Sequence, residues 1–177
     1  MEFDNRILAG WSYGLAGFAY AVLLLSLWRR GYGSAGTEAV KRLMLLGAFA
    51  SSVWGWLMLA YLLTGLGLVS MVSTLVDVSR YGAWFGFLLI LLQTRKEELS
   101  EAGLGLLRPI AYADVLAALV LNLVGVTGLF DMQVTRKLLL FSNLSLPVLG
   151  MVLLEQLFRN VAMDSRWNIK PLCLGLA

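Results

Sequence analysis

Along the chain, long apolar runs alternate with short polar knots. A hydrocarbon core of roughly 30 Å takes about 20 helical residues to cross. Five segments reach that length: Ile7–Trp28, Leu43–Leu63, about Leu75–Leu92, Ile110–Phe130 and Leu138–Leu157. The start of the third is blurred by "TGLGLVSMVST", which is apolar but rich in Gly and Ser. The connections are too short to hold a soluble domain, and strand-like alternation, the mark of a membrane barrel, is missing. Backbone groups in lipid have no water to bond, so such segments must satisfy themselves as helices. The pattern predicts an all-α polytopic membrane helix bundle, one domain over residues 1–177, with five complete transmembrane helices. A further apolar run, 171–177, starts at Pro171 and reads as the beginning of a sixth.

Composition turns that pattern into a statement about solvent. Apolar residues make up 59% of the 177 residues and charged residues 14%, against about 45–50% and about 25% in soluble domains. Fourteen Lys and Arg with eleven Asp and Glu, clustered in patches, cannot cover a soluble surface. The lipid bilayer is the expected partner for most of the exterior. The chain holds one cysteine, Cys173, and no histidine. An internal disulfide, a His-ligated metal, Ser-His or Cys-His nucleophilic catalysis and a phospho-accepting histidine are thereby excluded from this chain. "MEFDNR" is acidic, and the apolar run after it has full membrane length, so no cleavable signal is evident.

Charge distribution speaks to orientation, not to nucleic-acid binding. Alternate connections carry Arg29, Arg30, Lys41 and Arg42, then Arg95, Lys96 and Arg108, then Arg159, Arg166 and Lys170, ten cations in all. The opposite side has three, Arg6, Arg136 and Lys137, because Arg80 lies within a span. Cationic loops stay cytoplasmic. The expectation is a bacterial inner-membrane protein with its N-terminus outside.

Ionisable residues inside a span cost roughly 2.5–3.5 kcal/mol each on insertion scales, so each requires an account. In "TLVDVSRYGAWFGF", Asp77 and Arg80 are three apart and share a helical face. With the span starting near Leu75, the pair reads as an anchor near the outer interface, its arginine snorkelling to the headgroups. A ligand or signal-coupling site is the alternative. Asp114, four residues inside the span from Ile110, is expected to reach Arg108 or to favour the helix N-terminus. Asn122 is expected to bond across helices, with Asn143 and Ser142 as candidate partners. Glu155 and Arg159 form an i,i+4 pair in the favoured order.

Small residues recur four apart at Gly10 and Gly14, at Gly47, Ser51 and Gly55, and at Gly82 and Gly86. They predict close helix packing, with homodimerisation as the other use of the same spacing. Pro147 predicts a kink in the fifth helix. Trp11, Trp28, Trp54, Trp56 and Trp84 lie within the apolar runs, several near enough to their ends to anchor at an interface.

The segment "EQLFRN", a short linker, and then "RW", "IK" and "LCLGL" resemble the membrane region of the PrsK family, the sensor histidine kinases of PEP-CTERM/exosortase systems. The matching positions are Glu155, Gln156, Leu157, Arg159, Asn160, Arg166, Trp167, Ile169, Lys170, Leu172, Cys173, Leu174 and Gly175. "RYGAWF", Arg80 to Phe85, is similar to the family's third helix. The match covers about 30 residues, and Pro171 stands where the family has a bulky aromatic. The family's GAF-like sensor region, phospho-accepting histidine and ATP-binding domain have no counterpart in this chain. The resemblance therefore implies a truncated input region: no cofactor of its own, ATP and Mg in the full-length parent, and a response regulator reached only through a kinase core.

Three functions are thus set against one another. The first is the sensory or anchoring membrane region of such a kinase, with Asp77, Arg80, Glu155 and Arg159 as coupling positions. The second is a small transporter or channel-like subunit with a polar path along Asp77, Arg80, Asp114 and Asn122; no inverted repeat supports it. The third is an intramembrane enzyme, disfavoured by the lack of histidine and of a convergent carboxylate pair.

Overall fold

The computed structural model describes residues 2–29, 38–94, 101–127 and 131–159. These form five α-helices: α1 (Glu2–Arg29), α2 (Glu38–Thr64), α3 (Gly67–Thr94), α4 (Glu101–Thr127) and α5 (Met132–Arg159). No strand occurs among the described residues. All five are long and apolar enough to cross a membrane. The fold is all-α and the protein is a membrane protein. The expected start of a sixth helix at 171–177 lies outside the described residues, as do Asn160, Arg166, Trp167, Lys170 and Cys173.

All five helices begin earlier than the apolar pattern suggested, α3, α4 and α5 by the most. α3 starts at Gly67 instead of near Leu75, since α2 and α3 are joined by a turn of only two residues, Gly65 and Leu66. Gly65 adopts φ 67° and donates its N–H to the Tyr61 carbonyl at 2.8 Å. That left-handed cap suits glycine, which has no Cβ to clash. The Gly- and Ser-rich stretch after it is ordinary helix: Ser73 and Thr74 return their hydroxyls to the Ser70 carbonyl. α4 starts at Glu101 and runs through Pro109, whose missing N–H leaves the Gly105 carbonyl without its helical donor. α5 starts at Met132, with Thr135 bonding the Asp131 carbonyl through both N–H and hydroxyl.

The chain divides into two compact units, Met1–Trp84 and Phe85–Ala177, with the boundary inside α3. In the first, α1 packs on α2 through small residues. Gly47, Ala48, Ser51, Ser52 and Gly55 form the buried stripe of α2, spaced three and four apart. A Cβ on Gly55 would come within 2.7 Å of the Gly17 backbone, so the α1 and α2 backbones nearly touch there. Ser52 donates to the Gly17 carbonyl at 3.0 Å across the same seam. Gly10 and Gly14 are looser: an added Cβ would sit 3.7 Å from Leu59, an ordinary contact.

In the second unit α4 packs on α5. Ala111 and Ala118 of α4 and Leu146, Leu153 and Leu157 of α5 are buried. Most large apolar side chains of α1, α4 and α5 remain exposed, Trp11, Leu116, Phe141 and Met151 among them. In water that would be a liability; in lipid it is the solvated surface.

Candidate functional site

The longer α3 moves Asp77 and Arg80 away from the interface. Asp77 lies ten residues and Arg80 thirteen from Gly67, in a membrane-length segment ending at Gln93. At about 1.5 Å per residue, Arg80 stands roughly 20 Å from either end of the segment. Arg80 is a mid-span residue. The expected anchor near the outer interface, with a snorkelling arginine, is therefore corrected: from this depth the side chain is held by protein.

Its environment is built by α2 and α3. The Arg80 Nη2 is 2.6 Å from Asp77 Oδ1, one turn earlier on the same helix. The guanidinium carbon lies 4.1 Å from the Trp54 ring centroid and 5.0 Å from that of Tyr81. Trp54 is itself held by an edge-on contact with Tyr13 of α1, ring centroids 5.5 Å apart. The cation thus meets a carboxylate and two π faces, each an attraction of about 0.5–2 kcal/mol for the π contacts. Side-chain exposure is 16% for Arg80 and 33% for Asp77, so the pair is only partly enclosed.

Hydrogen bonding at the pair is incomplete. At 2.6 Å the Asp77–Arg80 contact is a close ion pair, and Asp77 Oδ1 keeps acceptor capacity beyond it. The buried Arg80 Nε also lacks a hydrogen-bond acceptor. Buried groups left this way are costly, so the pair has capacity for another partner.

One turn further along α3, Trp84 donates its Nε1–H to Ser51 Oγ at 3.1 Å, and Ser51 donates to the Gly47 carbonyl at 2.7 Å. Gly47 gives Trp84 its place, since a Cβ there would lie 2.9 Å from the indole. Trp54 and Trp84, both half-buried, thus pack between α2 and α3. Trp11 and Trp28 stay exposed, at 69% and 77%.

Asp114 is moved inward too. In the apolar window Gly105–Gly125 it lies nine residues from one end and eleven from the other, where the sequence pattern had put it four residues from an end. No ion pair with Arg108 forms; its partner is Ser145 of α5, whose Oγ is 2.6 Å from Asp114 Oδ1. Asn122 donates to the Ala118 carbonyl at 2.8 Å and to Asn143 Oδ1 at 3.4 Å, the expected bond across helices. Glu155 and Arg159 form the expected i,i+4 pair at 3.6 Å, both well exposed. Gln156 is half-buried beside them.

An open groove of about 610 Å³ runs along α1 and α2, lined by Arg6, Gly10, Trp11, Gly14, Trp56 and Leu59 among others. It is apolar and is lined by none of Asp77, Arg80, Asp114 or Asn122, the residues of the polar path that a transporter reading requires. The chain matches no protein-family model, no curated protein and no solved structure.

Proposed function

We propose that this chain is the membrane-embedded input and anchoring region of a sensor histidine kinase of the PEP-CTERM/exosortase type. It would sit in a bacterial cytoplasmic membrane with its N-terminus outside. The observation that carries the coupling role is the position of Arg80, mid-span on α3, with Asp77 on its own helix and Trp54 on the neighbouring one. A cation at this depth is strongly held by the groups that face it. A small slide of α2 along α3 removes Trp54 from the guanidinium and leaves the pair to Asp77 alone, so the contact can have two states, and a stimulus that favours one of them shifts the population. Ten cations against three support the orientation. The Glu155–Arg159 pair, at the end of α5 and within the segment that resembles the kinase family, is the proposed hand-over to the cytoplasmic side.

The test uses the complete open reading frame in proteoliposomes with ATP and Mg. The expected result is phosphate on a histidine beyond residue 177, with a steady-state level changed several-fold by Arg80→Gln or Asp77→Asn. A frame that stops after Ala177, or phosphorylation indifferent to both substitutions, sinks the kinase-input reading.

A further inference from the structure

We propose that Asp114, Ser142 and Ser145 form a binding site for one sodium-sized monovalent cation at the centre of the second unit. Ser145 lies twelve residues from Gln133 and fourteen from Arg159, the ends of the α5 segment, so it matches the mid-span depth of Asp114 on α4.

The single hydroxyl hydrogen of Ser145 has two acceptors within reach, Asp114 Oδ1 at 2.6 Å and the Ser142 carbonyl at 2.8 Å. It can serve only one at a time. Asp114 Oδ2 is buried and has no hydrogen-bond partner, and neither has the buried Ser142 Oγ. Ser142 is 9% exposed and precedes Ser145 by one turn on the same face of α5. The neighbouring Asn143 carbonyl cannot receive its helical bond, because residue 147 is proline.

These groups are oxygen lone pairs in excess of donors, in a medium where an unmatched charge is expensive. Asp114 makes no ion pair among the described residues. Arg108 is six residues before Asp114 and Lys137 eight before Ser145, roughly 9 and 12 Å of helical rise, and both are exposed. One carboxylate charge with hydroxyl and carbonyl oxygens is a hard donor set, suited to a hard cation and not to a soft metal. α5 continues as helix through Pro147, and the Asn143 carbonyl that the proline leaves without its donor is a further oxygen on the same turn. The inference concerns binding, not passage, and is independent of the kinase reading.

The test is thermal unfolding of the purified full chain in detergent, titrating sodium chloride against choline chloride at constant ionic strength. The expected result is a melting temperature that rises with sodium and saturates. Asp114→Asn should abolish the rise. Ser142→Ala removes a hydroxyl without a bond, so it should melt normally in choline while needing at least tenfold more sodium for half the effect. Equal melting in both salts, or a sodium midpoint unchanged in Ser142→Ala, overturns the site even if Asp114→Asn fails to fold. A stabilisation that tracks pH instead of sodium overturns it as well.

Discussion

The Arg80 guanidinium carbon rests 4.1 Å from the centroid of the Trp54 ring, halfway along α3, and so joins two helices at the depth where lipid offers a charge nothing. Asp77 neutralises the charge from the same helix, and Trp54 fixes its direction. Removing one member of such a set leaves the others stranded, which costs more than removing them together.

Arg80→Met should accordingly destabilise the first unit, and Asp77→Leu added to it should restore part of the loss. The coupling expected from a double-mutant cycle is roughly 1–3 kcal/mol, the range for residues in direct contact. Denaturant unfolding in micelles measures it. Additive single effects would mean that the pair is solvated and contributes little.

The seam between α1 and α2 predicts an ordering of glycine substitutions. Gly55→Ala sets a methyl 2.7 Å from the Gly17 backbone, and Gly47→Ala sets one 2.9 Å from the Trp84 indole. Both should cost roughly 1–3 kcal/mol as overpacking. Gly10→Ala meets only Leu59 at 3.7 Å and should change stability by less than about 0.5 kcal/mol. Equal losses at Gly10 and Gly55 would refute the close approach.

Asn122 and Asn143 hold a long bond, 3.4 Å, on a partly open face. Asn122→Leu should therefore cost little, near the average of about 0.6 kcal/mol for membrane hydrogen bonds. A loss above about 2 kcal/mol would place Asn122 in a network larger than this pair.

The Glu155–Arg159 pair predicts a separation of stability from signalling. At 3.6 Å and well exposed on both sides, it should contribute at most about 0.5 kcal/mol. Glu155→Gln is then expected to leave the unfolding curve in place while altering phosphorylation in the complete open reading frame. A variant silent in both assays would remove this pair from the coupling route.

Much of this was legible without coordinates. Five apolar runs of membrane length dictate five helices, because lipid permits few other structures. The spacing of Gly47, Ser51 and Gly55 marked a contact face, and it is the buried stripe of α2. The Glu155–Arg159 pairing was readable from helical periodicity and charge order, whereas Asn122 had two candidate partners, Asn143 and Ser142, between which the structure decides for Asn143.

Depth was not legible. Hydropathy reports where polar residues thin out, not where a helix begins, so a Ser- and Gly-rich first turn and a proline obscured the true starts of α3 and α4. Those few residues move Asp77, Arg80 and Asp114 from expected edges to the centres of their helices. Nor could composition distinguish a lipid-facing tryptophan from one held between helices: Trp54 and Trp84 meet Arg80 and Ser51, while Trp11 and Trp28 stay exposed. The Asp114–Ser145 contact joins residues 31 apart in the chain, and nothing in the local pattern of either helix specifies it. The sequence alone determined the solvent, the secondary structure and the spacing of faces, because these follow from local periodicity and transfer free energy. Which faces meet, and at what depth the charges lie, was decided by tertiary packing, because interhelical register depends on side chains distant in the chain.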